Sequence, residues 1–347
     1  MLLEYVDLDL PVQTLHLAFG VVLGLVFGIA AQISRFCLRR AVAGEGGPQG
    51  SAAAPWLMAL AVAIAGFFLA GQFGFVALEE HRFLSTGLPV LAIILGGLIF
   101  GGGMVLTRGC VSRLTVLSAT GNLRAVTVLL VFAVVAHATL KGVLAPLRVG
   151  LGAPQIETPI ASLAEIPGFA PAVAVVLIFA ALYLGRRFAA SWRHMALGAV
   201  IGAVVVAGWA GTSVLLFDEF DPLPVQSAAF TLPWSDTLFW VIASSAIPAG
   251  FGTGLIGGVL IGSFASAALR GELQLQSFDS PAQTIRYVAG GAMMGLGGVL
   301  AGGCTVGAGL SGGATLSLAA LLALGSIVAG GVATRQLLEG RGATAVA

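Results

Sequence analysis

The chain has 347 residues, 58% of them hydrophobic and 9% charged, with a mean hydropathy of +1.02 and a formal net charge of +1. Soluble domains carry about 25% charged residues, so a water-soluble globular domain is excluded. The near-neutral balance and the lack of a basic cluster exclude a nucleic-acid footprint as well.

Taken in chain order, the opening MLLEYVDLDLPVQ puts Glu4, Asp7 and Asp9 where a secretory signal carries positive charge, so it does not read as one. Apolar spans then predict about nine transmembrane helices, near 12–34, 55–76, 90–107, 123–145, 170–186, 195–216, 240–269, 286–302 and 317–335. Each is long enough to cross a ~30 Å hydrocarbon core. The first span ends at Arg35, Arg39 and Arg40, and the linker GEGGPQGSAAAP leads into the second. Asp279-Ser280-Pro281 opens the eighth with a capping side chain followed by proline at the first helical position. The expected fold is an all-α polytopic membrane protein, one transmembrane transport domain over 1–347.

Lys and Arg number 13 on the side reached after odd spans and 3 on the other, the three being Arg82, Lys141 and Arg148. The excess marks the cytoplasmic side, which places the N-terminus outside and the C-terminus in the cytoplasm. The acidic loop FDEFDPLPVQSAAFTLPWSD (217–236) falls outside, where Asp218, Glu219 and Asp221 are solvated and Gln226, Ser227, Thr231 and Ser235 are candidates for a polar vestibule.

Setting Cys110 over Cys304 aligns GGLIFGGGMVLTRGC (96–110) with GGAMMGLGGVLAGGC (290–304) without a gap, with eight identities in fifteen positions. A fainter echo links GVVLGLVFGI (20–29) to GLIGGVLIGS (254–263). The chain therefore reads as two pseudo-symmetric halves, about 12–146 and 240–335, joined by connecting helices at about 170–216. Such repeats place a substrate site at their interface near mid-membrane. Glycines four apart, as in Gly20/Gly24/Gly28, serve close helix packing. The Gly-Cys ends differ: GGG before Cys110, Gly302-Gly303 before Cys304 and GAGLSGG (307–313) weaken the helix there. Irregular backbone at membrane depth is tolerated only inside protein or against a cavity, so both segments read as broken helices facing a conduit.

A half-helix starting at such a break leaves N–H groups unpaired at its positive end, which suits an anion. CVSRLTVLSAT (110–120) reads as such a start. The candidate path residues are the thiols of Cys37, Cys110 and Cys304, supported by Arg35, Arg108, Gly109, Ser112, Arg113, Gly303 and Thr305. Arg39 and Arg40 read as cytoplasmic anchors, and Arg113 reads equally as anchor or anion ligand. A lone buried cysteine is usually a small hydrophobe, but these three sit beside glycine or arginine at helix ends. Their soft sulfur suits an anion that itself carries sulfur. The positive helix end favours a thiolate, whereas passage of an anion needs neutral S–H groups, and the sequence leaves both forms open. His137 and Lys141, four apart, share a helix face and read as structural or anion-attracting rather than as a proton relay. His16, His81 and His194 lie at span ends. No paired cysteine, nucleotide loop, metal-ligand spacing or Ser/His/Asp grouping occurs, so neither a cofactor nor a metal is expected.

SRFCLRRAV (34–42), GGLIFGGGMVLTRGC, DPLPVQSAAFTLP (221–233) and above all GGVLAGGCTVGAGLSG (297–312) resemble the YeeE/YedE family of bacterial sulfur-compound transporters. The likeness runs in pieces through most of the chain. It implies an hourglass-shaped inner-membrane protein that takes up thiosulfate. By the same resemblance Cys37, Cys110 and Cys304 line the narrow path, and a small TusA-like sulfur carrier is the cytoplasmic partner. One departure is Arg108-Gly109-Cys110, where the second block and the family carry Gly-Gly-Cys; the added charge would alter anion binding. Two other classes compete with thiosulfate passage: an intramembrane thiol enzyme that transfers sulfur, and a transporter of a related species such as selenite, sulfite or a persulfide.

Overall fold

The computed structural model describes residues 11–44, 49–76, 78, 81–219 and 221–344. The acidic opening residues and positions 45–48 of the linker lie outside that description. The described chain is almost wholly helical: α1 (Val12–Ser34), α2 (Leu38–Ala43), α3 (Gln49–Gln72), α4 (Val90–Leu106), α5 (Val111–Ala119), α6 (Leu123–Lys141) and α7 (Ala145–Gly152) come first. They are followed by α8 (Phe169–Arg187), α9 (Trp192–Ala210), α10 (Thr231–Ile242), α11 (Phe251–Leu269), α12 (Pro281–Leu300) and α13 (Leu318–Thr344). A two-residue antiparallel ladder, β1 (Gly87–Leu88) with β2 (Ile156–Glu157), ties two loops together.

Among the described residues eight segments are long and apolar enough to cross a membrane: Val12–Ala43, Gln49–Gln72, Val90–Ala119, Leu123–Lys141, Phe169–Arg187, Trp192–Leu215, Phe251–Leu269 and Leu318–Gly340. The twenty-residue α12, whose first turns are polar, packs between α4 and α6. Its start follows the capping expectation, since Ser280 Oγ accepts the Gln283 N–H at 3.2 Å and Pro281 occupies the first helical position. The expected span at 240–269 is instead two helices, α10 and α11. The intervening ASSAIPAG (243–250) contains Pro248, which has no N–H to donate, and ends in Gly250, the extended N-cap of α11.

Lipid-embedded helices gain little from burying apolar surface against one another, so close backbone approach carries their packing. The aligned glycines do matching work here. Gly96 of α4 meets Gly297 of α12, and Gly103 of α4 meets Gly290 of α12, so the two helices cross antiparallel. Exchanging the aligned positions, 96 for 290 and 103 for 297, turns one contact into the other, as a two-fold axis between the helices requires. On the adjacent stripe Gly97 and Gly101 seat α4 on α13, while their counterparts Gly291 and Gly295 seat α12 on α6. The fainter echo has another cause. Gly20, Gly24 and Gly28 of α1 interleave with Gly254, Gly258 and Gly262 of α11 in parallel. That likeness belongs to one shared packing seam, not to positions related by inversion.

α3 and α9 run parallel, Gly198 against Pro55 and Gly202 against Ala59. A cavity lies at each end of this pair. One, of about 390 Å³, is lined by the C-terminus of α1, the start of α3, the α8–α9 turn and Arg270. The other, of about 650 Å³, is lined by the loop after α3, the end of α9, residues 223–229 and the start of α10. The first lies on the arginine-rich face.

Candidate functional site

Each cysteine follows a helix end, two positions after a left-handed residue. α1 ends at Arg35 in the left-handed conformation (φ 51°), and Cys37 is the N-cap of α2. Arg108 is left-handed (φ 58°) after α4, and Cys110 is the N-cap of α5. Gly302 is left-handed (φ 76°) after α12, two residues before Cys304. At the first two ends the helix closes with the wrap-around bond that a left-handed residue permits, Phe36 N–H to Ala31 O at 3.2 Å and Gly109 N–H to Met104 O at 3.1 Å. Thr107 Oγ1 reinforces the second, donating to Gly103 O or Gly109 O at 2.9 Å each. Beyond each break the thiol faces the N–H three residues on, that of Arg40, Arg113 or Gly307. The contact is loose at Cys37 and Cys110 and closes at Cys304, where the Gly307 N–H points to Sγ at 3.4 Å.

GAGLSGG, expected to be a poor helix, winds from Gly307 to Gly312 as a wide π-turn, with the Gly309 N–H reaching Cys304 O at 3.3 Å and the Ser311 N–H reaching Val306 O at 2.8 Å. Without side chains to crowd the wall, the glycines permit that open winding. Both post-cysteine segments are clasped at their far ends. Gln274 and Gln276 donate backbone N–H groups to Thr120 O and Gly121 O after α5, and the Leu163 N–H reaches Leu316 O after the π-turn, each at 3.1 Å. Between their ends, α5 is held by Trp234 of α10, whose Nε1 donates to Thr115 Oγ1 at 2.7 Å. The π-turn is held by Trp209 of α9, whose Nε1 donates to Ser311 O at 3.1 Å.

These breaks bring the three thiols into one buried group. Cys37 is 4% exposed, Cys110 1% and Cys304 0%, all reduced and free. The Cys37 and Cys110 side chains are direct neighbours. Cys110 also meets the Thr305 hydroxyl next to Cys304, and its sulfur lies 3.3 Å from Ser112 Oγ. Gly307, which donates to Cys304, lines the 650 Å³ cavity; Arg35 and Phe36, which precede Cys37, line the 390 Å³ cavity. A buried ring pair, Phe27 with Phe230 at 5.2 Å between centroids, belongs to the same core.

The supporting residues expected from sequence divide. Ser112, Thr305, Gly109 and Gly303 are buried at the thiol group. Arg113 lies in the electrostatic neighbourhood of Cys37, Cys110, Arg35 and Arg40, and its Nη1 is buried without a hydrogen-bond partner. Arg35 opens onto the arginine-rich cavity beside Arg40, Arg270 and His194. Arg108 is exposed, although its neighbour Cys110 is buried, and its backbone is left-handed at the break. Gln226 and Ser227 line the larger cavity, whereas Ser235 Oγ bonds His137 Nδ1 at 3.0 Å and the imidazole stacks on Phe239 at 3.5 Å. Sequence reasoning missed His81 and Arg82 as cavity walls, since a short loop between spans carries no periodicity. Partial burial and the neighbouring Arg82 push His81 down to about 4, so its imidazole is neutral at physiological pH; its ring meets Trp209 edge-on at 4.9 Å. Among the described residues no group of three or more His, Cys, Asp or Glu side chains could hold a metal ion.

Residues 34–333, which include all three breaks, match the family described as sulphur transport. The chain belongs to that family. Its YeeE/YedE resemblance is thereby accounted for, and so is its character as a multi-pass membrane protein of sulfur transport. Among its relatives, the thiosulfate transporter TsuA of Escherichia coli (strain K12) is 23% identical over 337 residues, covering 84% of this chain and 86% of the relative. Thiosulfate transporter TsuA of Spirochaeta thermophila (strain ATCC 700085 / DSM 6578 / Z-1203) is 27% identical over 309 residues, covering 83% and 88% respectively. Both relatives are named as transporters, not enzymes.

Proposed function

We propose that this family member carries thiosulfate inward across the bacterial inner membrane, past Cys304, Cys110 and Cys37 in that order. The observation that carries the reading is the chain of buried contacts, Gly307–Cys304, Thr305–Cys110 and Cys110–Cys37, between two cavities on opposite faces. The 13-to-3 charge asymmetry supports an arginine-rich face in the cytoplasm and an N-terminus outside. A TusA-like carrier is then the cytoplasmic recipient.

Thiosulfate presents a soft sulfane sulfur and three oxygens bearing most of its charge. Neutral S–H groups donate to either end, and sulfur–sulfur contact suits the soft end. Ser112 and Thr305 supply hydroxyls, and the first N–H groups of α5, together with Gly109 and Gly303, supply backbone donors. The unpartnered Nη1 of Arg113 supplies charge below Cys110 and draws the anion toward Arg35 and Arg40. Passage through so tight a group needs the short segments after the thiols to swing on their clasped ends. No step requires a cofactor.

Labelled thiosulfate uptake into proteoliposomes tests this reading. Cys110→Ala and Cys304→Ala reduce uptake to background while protein content and helicity stay intact, and alkylation of the wild type does the same. Wild-type uptake in both variants rejects the thiol path. A second reading, sulfur transfer on a thiol, draws on the Cys37–Cys110 contact, a pairing that no sequence spacing discloses. Intact-protein mass after thiosulfate exposure separates them: no change for a conduit, a sulfur adduct for an enzyme. Competition by sulfite and selenite ranks the substrates.

A further inference from the structure

Between the outer cavity and Cys304 lies a small pocket of about 40 Å³, bordered by Arg82, Thr231, Leu232, Gly303 and Gly307 among others. Thr231 is 4% exposed, yet its Oγ1 is buried without any hydrogen-bond partner. Its neighbours behave otherwise. Thr212 Oγ1 reaches Gln226 O at 2.6 Å, Ser227 Oγ reaches Val205 O at 2.7 Å, and Thr115 Oγ1 reaches Val111 O at 2.9 Å. A buried hydroxyl left unpaired costs free energy, so one on a residue that borders a pocket marks a place where something else binds. Thr231 also opens α10, whose first N–H groups lie at the positive end of that helix. Arg82 borders the outer cavity as well as this pocket, its guanidinium carbon 5.1 Å from the Phe83 ring centroid. Asp236 is an acid on the outer cavity wall, within the field of Lys141 and His137.

We propose that Arg82 and Thr231 form an oxyanion station just outside Cys304, where they hold the sulfonate head of the substrate and direct its sulfane sulfur to the thiol. This deepens the thiosulfate reading and rests on it. A planar cation, a hydroxyl donor and the start of a helix bordering one small pocket match a tetrahedral oxygen-bearing head. They do not match a bare sulfide or a persulfide, which offers no oxygens. The station therefore selects for sulfur oxyanions before the thiols are reached, and the soft sulfur is read afterwards.

The test uses full-length protein in proteoliposomes with two readouts, the KM for thiosulfate uptake and the thiosulfate concentration that protects Cys304 from N-ethylmaleimide. Thr231→Val keeps the shape and removes the hydroxyl; it raises both quantities about tenfold, with kcat little changed. Thr231→Ser restores them. Arg82→Gln raises them on the order of a hundredfold and Arg82→Lys by less. Sulfate, which shares the head but lacks the sulfane sulfur, protects Cys304 in the wild type and loses that protection in Thr231→Val. Wild-type KM and protection in both Thr231→Val and Arg82→Gln, alongside intact wild-type uptake, overturn the station and leave the thiosulfate reading standing. Failure of the wild type both to take up thiosulfate and to be protected by it overturns both.

Discussion

A left-handed residue two positions before each thiol is what sets the cysteines at the mouths of short helical segments. At Gly302 that conformation is free of steric cost and nothing lies within 4 Å of the missing Cβ. At Arg35 and Arg108 an L-residue carries roughly 1–2 kcal/mol of strain. The sequence shows Arg-x-Cys-x-x-Arg twice, at Arg35–Arg40 and Arg108–Arg113, and the natural inference from such a pattern is charge. For Arg113 the buried Nη1 agrees with that inference; Arg108 is exposed at the break, where its backbone is left-handed. Arg108→Gly relieves that strain but also removes the side-chain interaction, so the clean comparison is with Arg108→Ala, which loses the side chain and keeps the strain. The glycine variant is the more stable of the two by about 0.5–1 kcal/mol, strain relief less the entropy that glycine adds to the unfolded chain. Thermal unfolding in detergent measures that gain, and uptake kinetics measure the second half of the expectation, an unchanged KM. A KM several-fold higher would return Arg108 to the anion path.

The elements were legible in different degrees. Span positions follow from apolar length, and the α12 start from Ser280 and Pro281, because both signals are local. The aligned glycines marked α4 and α12 as a pair, but not which neighbour each stripe meets. Nor could spacing separate the α1–α11 seam from a repeat, since close packing and duplication both select glycine every fourth residue. The seam makes a sharp comparison on one helix pair. A Cβ on Gly24 would lie 2.9 Å from Gly258 Cα and Val259 N, whereas one on Gly257 of α11 meets nothing within 4 Å. Gly24→Val accordingly destabilises by about 1–3 kcal/mol, and Gly257→Ala is neutral or stabilising through helix propensity. Equal thermal unfolding temperatures for the two variants would show that the seam does not hold the molecule together.

Across the whole molecule, the cavities could not be foreseen, because their walls come from loops far apart in sequence. Leu78 and residues 81–83, residues 223–227 with Ala229, and Gly307 with Ser311 meet only once α3, α9 and α10 are assembled. Cys304 adjoins that space and Cys37 adjoins the arginine-rich one, with Cys110 between them. In oriented vesicles a membrane-impermeant sulfonated thiol reagent added from the outer side thus labels Cys304 first. Added from the arginine-rich side it labels Cys37 first, and Cys110 reacts last from either direction, as single-cysteine variants with mass readout reveal. Equal labelling of Cys110 from both sides would mean an open pore in place of a closed waist.

The buried pairing of Phe27 with Phe230 beside the thiols has a bioenergetic corollary. Apolar rings at a constriction interrupt any file of water, so a small hydrated ion such as chloride is held back by the cost of shedding its shell. A membrane that holds a voltage can thus carry this protein without being discharged through it.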